Sequence, residues 1–165
     1  MRPFSGNPDK NSFPFEVSKS PLCCGHEAAT RPQLWNLLHQ LLVVETIYSY
    51  RDKGAFLLHD FVVMPDHLHL IFTPAETLEK AMQLIKGGYS FRFRKEFRKS
   101  HEVWQKSFTD RRIRDFAEYQ RYKKYLWMNP VKAGLCERPE DYRFSSASGR
   151  FSLDPLPQRL KPEDV

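Results

Sequence analysis

A chain of 165 residues suits one domain with a sizeable core, and 41% hydrophobic content with 13 Phe, 7 Tyr and 3 Trp excludes an intrinsically disordered chain. Three cysteines, two of them adjacent (Cys23 and Cys24), exclude a disulfide framework. No apolar leader and no 18-residue apolar run is seen, so the expectation is a soluble cytoplasmic protein with no membrane partner. The net charge of +6 is concentrated: residues 86–114 carry 10 Lys/Arg against 3 Asp/Glu, a local +7 that leaves −1 for the remainder. One basic region on a nearly neutral body favours nucleic acid over a merely solvated helix face.

Residues 1–12 read as a polar arm, and FPFEVSKS (13–20) as a short strand, placed at a sheet edge because Pro14 cannot donate to a ladder. The loop that follows contains CCGH (Cys23–His26), which lacks a second ligand pair at zinc-site spacing. Thr30 can cap a helix from Arg31, with Pro32 in its first turn. Leu34, Leu37, Leu38, Leu41 and Leu42 recur at i, i+3, i+4, i+7 and i+8, which predicts that they face the core. AFLLHDFVVM and HLHLIFTP are two strands joined through MPD, an antiparallel hairpin with Pro65 setting φ in its turn. ETLEKAMQLIKGGYSFRFRKEF (76–97) is a helix with a candidate break at Gly87-Gly88, EVWQKSFTDRRI a fourth strand, and DFAEYQRYKKYLWM a third helix stopped by Asn129-Pro130. The order is that of an α+β, ferredoxin-like (RRM-like) βαββαβ sandwich: an antiparallel sheet with helices on one face plus a C-terminal helix. Residues 1–150 are expected to form the single domain and 151–165 a flexible, Pro-rich tail.

Within FVVMPDHLHLIF (61–72), alternation along the strand puts His67, His69 and Ile71 on one face and Leu68, Leu70 and Phe72 on the core face. Two imidazoles roughly 6.5–7 Å apart at Cα can converge on one divalent cation, leaving the remaining positions to oxygen donors. From spacing alone, a pair of surface or hydrogen-bonded histidines stands equally open. Asp66 can orient one of them or simply form the turn. The third helix offers Tyr119, Tyr122 and Tyr125, and Asn129 lies one turn from Tyr125 on the same face, where its amide oxygen is an acceptable hard ligand. Packing is the commoner fate of each tyrosine. An unrelated metal hydrolase or oxygenase would instead need a carboxylate such as Glu76 or Asp60.

Four segments in order, MPDHLHLIF (64–72), WQKSFTDRRIRD (104–115), YLWMNPVKAGL (125–135) and PEDYRFSSA (139–147), resemble the REP-associated tyrosine transposases. These are relatives of the insertion-sequence transposases that move single-stranded DNA, within the His-hydrophobic-His endonucleases that have one catalytic tyrosine. The resemblance implies that His67, His69 and Asn129 hold Mg²⁺ or Mn²⁺ and that Tyr125 is the nucleophile, forming a 5′-phosphotyrosine. It implies a single-stranded DNA partner with imperfect hairpins such as repetitive extragenic palindromes, and a bacterial, nucleoid-associated protein acting as a monomer or homodimer. Lys86, Arg92, Arg94, Arg98, Arg111, Arg112 and Arg114 are the candidate DNA-binding residues. The alternative is a domesticated, non-catalytic protein that binds DNA hairpins on the same scaffold.

Overall fold

The computed structural model describes residues 15–19, 32–98, 104, 109–157 and 160–161. Its elements are β1 (Phe15–Lys19), α1 (Pro32–Arg51), β2 (Phe56–Val63), β3 (Leu68–Pro74), α2 (Leu78–Phe97), β4 (Thr109–Arg112) and α3 (Phe116–Lys132). The four strands form one antiparallel sheet in the order β2-β3-β1-β4. This is the expected βαββαβ sandwich, with α3 added. β1 is not the edge strand that Pro14 suggested. It lies between β3 and β4, because Pro14 precedes the strand and every residue from Phe15 to Lys19 keeps its N–H for pairing. Of the expected fourth strand, Thr109–Arg112 forms β4 and Trp104 makes an isolated bridge.

β3 is buried on both faces, so each must be covered. On the first, Leu58, Phe61, Leu68, Leu70 and Phe72 meet α1 and α2, with Tyr48 edge-on to Phe61 and His39 packed against Phe93. Of the leucine stripe that spacing predicted on α1, Leu42 is in this core, but the helix turns mainly a neighbouring stripe to it. Gln40, Val43, Val44 and Ile47 are buried, whereas Leu37, Leu38 and Leu41 are more than a third exposed. Two apolar stripes compete on this helix, and the β-branched one fits the sheet. α2 runs unbroken through Gly87-Gly88, since Gly88 is where the Tyr50 ring of α1 comes closest and a Cβ there would collide with it. Thr77 caps α2, its side chain accepting from Lys80 N–H.

On the second face lie Asp60, Val62, His69, Ile71 and Thr73, covered by α3. A β-bulge between Leu58 and Asp60 shifts the phase of β2. His59 reaches Thr73 Oγ1, and Asp60 pairs with Ile71, so two consecutive side chains serve the same face. α3 does not stop at Asn129. Pro130 is buried within it, at the cost of one helical donor, and the end closes through Ala133 N–H to Asn129 O and Leu135 N–H to Pro130 O.

Residues 151–157 are no free tail. Phe151 stacks on Tyr48 and meets Phe61 in a T-shaped contact, and Asp154 takes a bidentate ion pair from Arg51 at 2.7 Å. Asp154 also pairs with Leu58 through N–H to carbonyl and N–H to carboxylate bonds of 2.7 and 2.8 Å. Val63 N–H donates to Phe144 O at 2.9 Å, and Val62 bridges Ser145. The open edge of β2 is thereby sealed by the chain's own C-terminal segment. Composition had suggested a flexible tail there, but one partly buried charge pair and backbone pairing along the sheet edge fix it.

Candidate active site

The β2–β3 turn is tight: Met64 N–H donates to His67 O at 2.8 Å, and Val63 and Leu68 are the last paired residues. Pro65 and Asp66 occupy its corners, with no residue at positive φ. His67 leaves the turn directly and His69 is the second residue of β3, so both side chains rise from the α3 face. Their rings are perpendicular, with centroids 5.0 Å apart. His67 is partly exposed and His69 is buried. Asp66 Oδ1 lies 2.7 Å from His67 Nδ1. With Nδ1–H donating there, the Nε2 lone pair of His67 is left for a cation.

α3 brings Tyr125 to this pair. Its ring stands edge-to-face with His69 at 5.6 Å and is 46% exposed, enough for a substrate to reach the phenol oxygen. Lys132 Nζ lies over the Tyr125 ring, 5.3 Å from its centroid. Asn129 donates from Nδ2 to Tyr125 O at 3.0 Å, leaving its Oδ1 as an acceptor on that helix face. The other two tyrosines have other occupations. Tyr119 is buried and donates to Asp60, and burial, with the Asp60 carboxylate adding to it, holds its phenol far above the ordinary value. Tyr122 lies beneath the Arg111 guanidinium, 5.6 Å from its ring centroid.

The alternative carboxylate ligands do not converge on the histidines. Asp60 accepts from Tyr119 Oη, Trp127 Nε1 and Ser146 Oγ, and Glu76 is exposed beyond the far end of β3. No group of three or more His, Cys, Asp or Glu residues suited to a metal is found among the described residues. CCGH and Thr30 lie outside them. Two imidazoles, with the Asn129 amide oxygen on the neighbouring helix face, are donor types that fit a hard-to-borderline divalent cation that also takes oxygen ligands.

The candidate DNA-binding residues fall into two groups. Arg111, Arg112 and Arg114 lie on or beside the exposed β4 edge, and Arg111 also pairs with Glu118 of α3 at 3.9 Å. Lys86, Arg92, Arg94 and Arg98 lie on or at the end of α2, behind the sheet from the histidines. Arg92 faces Glu45 there at 3.9 Å, and Arg98 ends α2 in the left-handed conformation. Of the neighbouring aromatics, Tyr89 and Phe93 are core residues and Phe91 is exposed. Asp60 and Ser146 are the polar residues whose importance sequence reasoning missed. Alternation from Leu58 would have sent Asp60 into the apolar core, and only the bulge redirects it.

No helix among the described residues is long and apolar enough to cross a membrane. Residues 28–129 match the family described as Transposase IS200 like. A REP-associated tyrosine transposase of Escherichia coli (strain K12) is 30% identical over 135 residues, covering 75% of this chain and 76% of its own. A solved structure of a REP-associated tyrosine transposase bound to a REP hairpin superposes with a TM-score of 0.65 at 20% identity, covering 100% of this chain and 99% of that one. That likeness shows the fold. With a family match across more than half its length, the chain belongs to the IS200-like transposase family.

Proposed function

We propose that this transposase is a divalent-metal-dependent enzyme that nicks and rejoins single-stranded DNA carrying imperfect hairpins, with Tyr125 as its nucleophile. The observation that carries the reading is the Tyr125 ring set edge-on to His69, within a single chain that also supplies His67. Hairpin DNA, the ligand in the structurally similar transposase, is the fitting partner for a chain of net charge +6.

His67, His69 and Asn129 Oδ1 are the groups that would hold Mg²⁺ or Mn²⁺, which supplies Lewis-acid polarisation of the scissile phosphate when bound. Asp66 keeps His67 turned for that task. The Tyr125 oxygen, on losing its proton, attacks phosphorus. The P–O3′ bond breaks and its electron pair leaves on O3′, which is protonated to a free 3′-OH. The 5′-phosphate stays on Tyr125 as a phosphotyrosine diester. One phosphodiester replaces another, so attack by a 3′-OH can reverse the step and join strands without ATP. Arg111, Arg112 and Arg114 are suited to the strand entering beside α3. Lys86, Arg92, Arg94 and Arg98 suit a second contact on the far side of the sheet, as a folded-back hairpin would require.

The test is a covalent-adduct assay on labelled single-stranded hairpins taken from repeats flanking the gene, with Mn²⁺ or with EDTA. A protease-sensitive shifted band that requires Mn²⁺ and disappears in Tyr125→Phe supports the reading. Tight hairpin binding with no adduct on any matched hairpin would replace it with the non-catalytic binding protein.

A further inference from the structure

The segment PEDYRFSSA (139–147) and the buried Asp60 have no part in the chemistry above, yet they meet directly beneath the tyrosine helix. Asp60 is fully buried. Its Oδ1 accepts from Ser146 Oγ at 2.9 Å and Trp127 Nε1 at 3.1 Å, and its Oδ2 accepts from Tyr119 Oη. Ser146 Oγ also accepts from Phe61 N–H at 3.2 Å, tying the cluster to the β2 backbone beside the bulge. A carboxylate accepts only, so it can take three convergent donors without conflict.

We infer that Asp60, acting with Tyr119, Trp127 and Ser146, is the positioning device that sets Tyr125 against the histidine pair. The inference rests on Tyr125 as the nucleophile. Tyr119 and Trp127 stand six residues before Tyr125 and two after it, and both bond the same carboxylate. Two donors on one helix sharing one acceptor fix the helix in rotation and in travel along its axis. Tyr125 itself is half exposed and meets the site through a ring edge, so its place is inherited from the helix rather than from its own packing. The other end of the device is equally fixed. Asp60 pairs with Ile71 and Val62 pairs with His69, so the anchor and the buried histidine are diagonal neighbours on adjoining strands. One bonded strand pair therefore carries both the histidine and the post to which the tyrosine helix is tied.

The test labels the protein with 3-fluorotyrosine and follows the Tyr125 fluorine resonance, assigned by its loss in Tyr125→Phe, in full-length Trp127→Phe and Tyr119→Phe. Both variants keep a ring in place and remove a donor. The control is Asp154→Asn, which weakens the same β2 edge without touching α3. The expected result is that the Tyr125 resonance moves toward that of an exposed tyrosine in both donor variants and stays put in Asp154→Asn. In the same variants, single-turnover adduct formation falls roughly 10–100-fold while hairpin affinity stays within about twofold, the signature of a misplaced nucleophile. An unmoved resonance in both donor variants, or an equal shift in Asp154→Asn, overturns the inference. If wild type binds hairpins and forms no adduct, the nucleophile reading fails instead, and the fluorine shifts still decide whether Asp60 positions the helix.

Discussion

The two faces of the sheet are closed by different mixtures of apolar packing and hydrogen bonding. On the first, α1 and α2 bury aliphatic and aromatic side chains against Leu58, Phe61, Leu68, Leu70 and Phe72, with Gln40 as a polar insertion that bonds Val63 O and Tyr142 Oη. On the second, a single helix that also buries Leu126 and Tyr119 is tied by hydrogen bonds to one carboxylate, and its outer flank remains open around Tyr125. Apolar packing is non-directional and yields stability, whereas bonds to a fixed acceptor specify an angle and a register. The face on which Tyr125 meets His69 is the one where three donors converge on a buried carboxylate.

Two substitutions break this comparison most sharply. Tyr125→Phe removes one oxygen from a half-exposed ring, so adduct formation should vanish while stability stays within about 0.5 kcal/mol of wild type. Phe72→Ala does the reverse. It empties a fully buried site packed edge-on against Phe56 and should cost about 3–5 kcal/mol, leaving the rate per folded molecule little changed. Adduct assays paired with urea melts separate the two. Phe72→Ala with wild-type stability would show that the first face is not the main core.

That separation also explains what could be read from the sequence. The hairpin, the paired histidines and the Tyr125–Asn129 helix turn are local patterns, fixed by alternation and by i, i+4 spacing. The structure brings Tyr125 against His69, with Asn129 one turn along the same helix. The element order followed because helical and strand periodicities alternate visibly along the chain. Non-local competition was illegible. α1 carries two apolar stripes, and which one is buried depends on the sheet it meets. Pro130 reads as a stop, yet a helix can absorb it in its last turn when the face beneath is buried. The role of Asp60 depends on a bulge one residue earlier. Asp154 belongs to a segment whose composition says tail but whose ion pair with Arg51 closes a sheet edge.

That same edge gives the next prediction, one of intermediate size. Burial holds the His59 imidazole below its ordinary value while the neutral ring bridges Thr73 Oγ1 and Asp154 O. The unfolded chain therefore binds the His59 proton first. Stability should be complete above about pH 6.5 and should fall as pH drops below it. Burial pushes the Asp154 carboxyl up, but the Arg51 guanidinium and Leu58 N–H outweigh it and hold it below its ordinary value. Its contribution persists until the pH falls below about 4 and is lost beyond that. Urea melts across this range should show both declines, and His59→Gln should remove only the upper one. Asp154→Asn should cost about 1–3 kcal/mol at neutral pH. An Asp154→Asn protein as stable as wild type would mean that the β2 edge is sealed by Phe144–Ser146 alone.

The smallest effect tests the helix-to-helix contact on the first face. Gly87 and Gly88 are adjacent, both inside α2, and both cost backbone entropy relative to Ala. They differ in what surrounds them: a Cβ at Gly87 meets nothing within 4 Å, whereas one at Gly88 runs into the Tyr50 ring. Gly87→Ala should therefore stabilise the protein by about 0.5–1 kcal/mol. Gly88→Ala gains the same helix propensity but must displace an aromatic ring from the α1–α2 interface, so it should be destabilising on balance. If Gly88→Ala instead stabilises as much as Gly87→Ala, Tyr50 is free to swing aside and the two helices are less closely keyed there. The opposite sign at neighbouring glycines would show that close packing, rather than a break in the helix, accounts for Gly88.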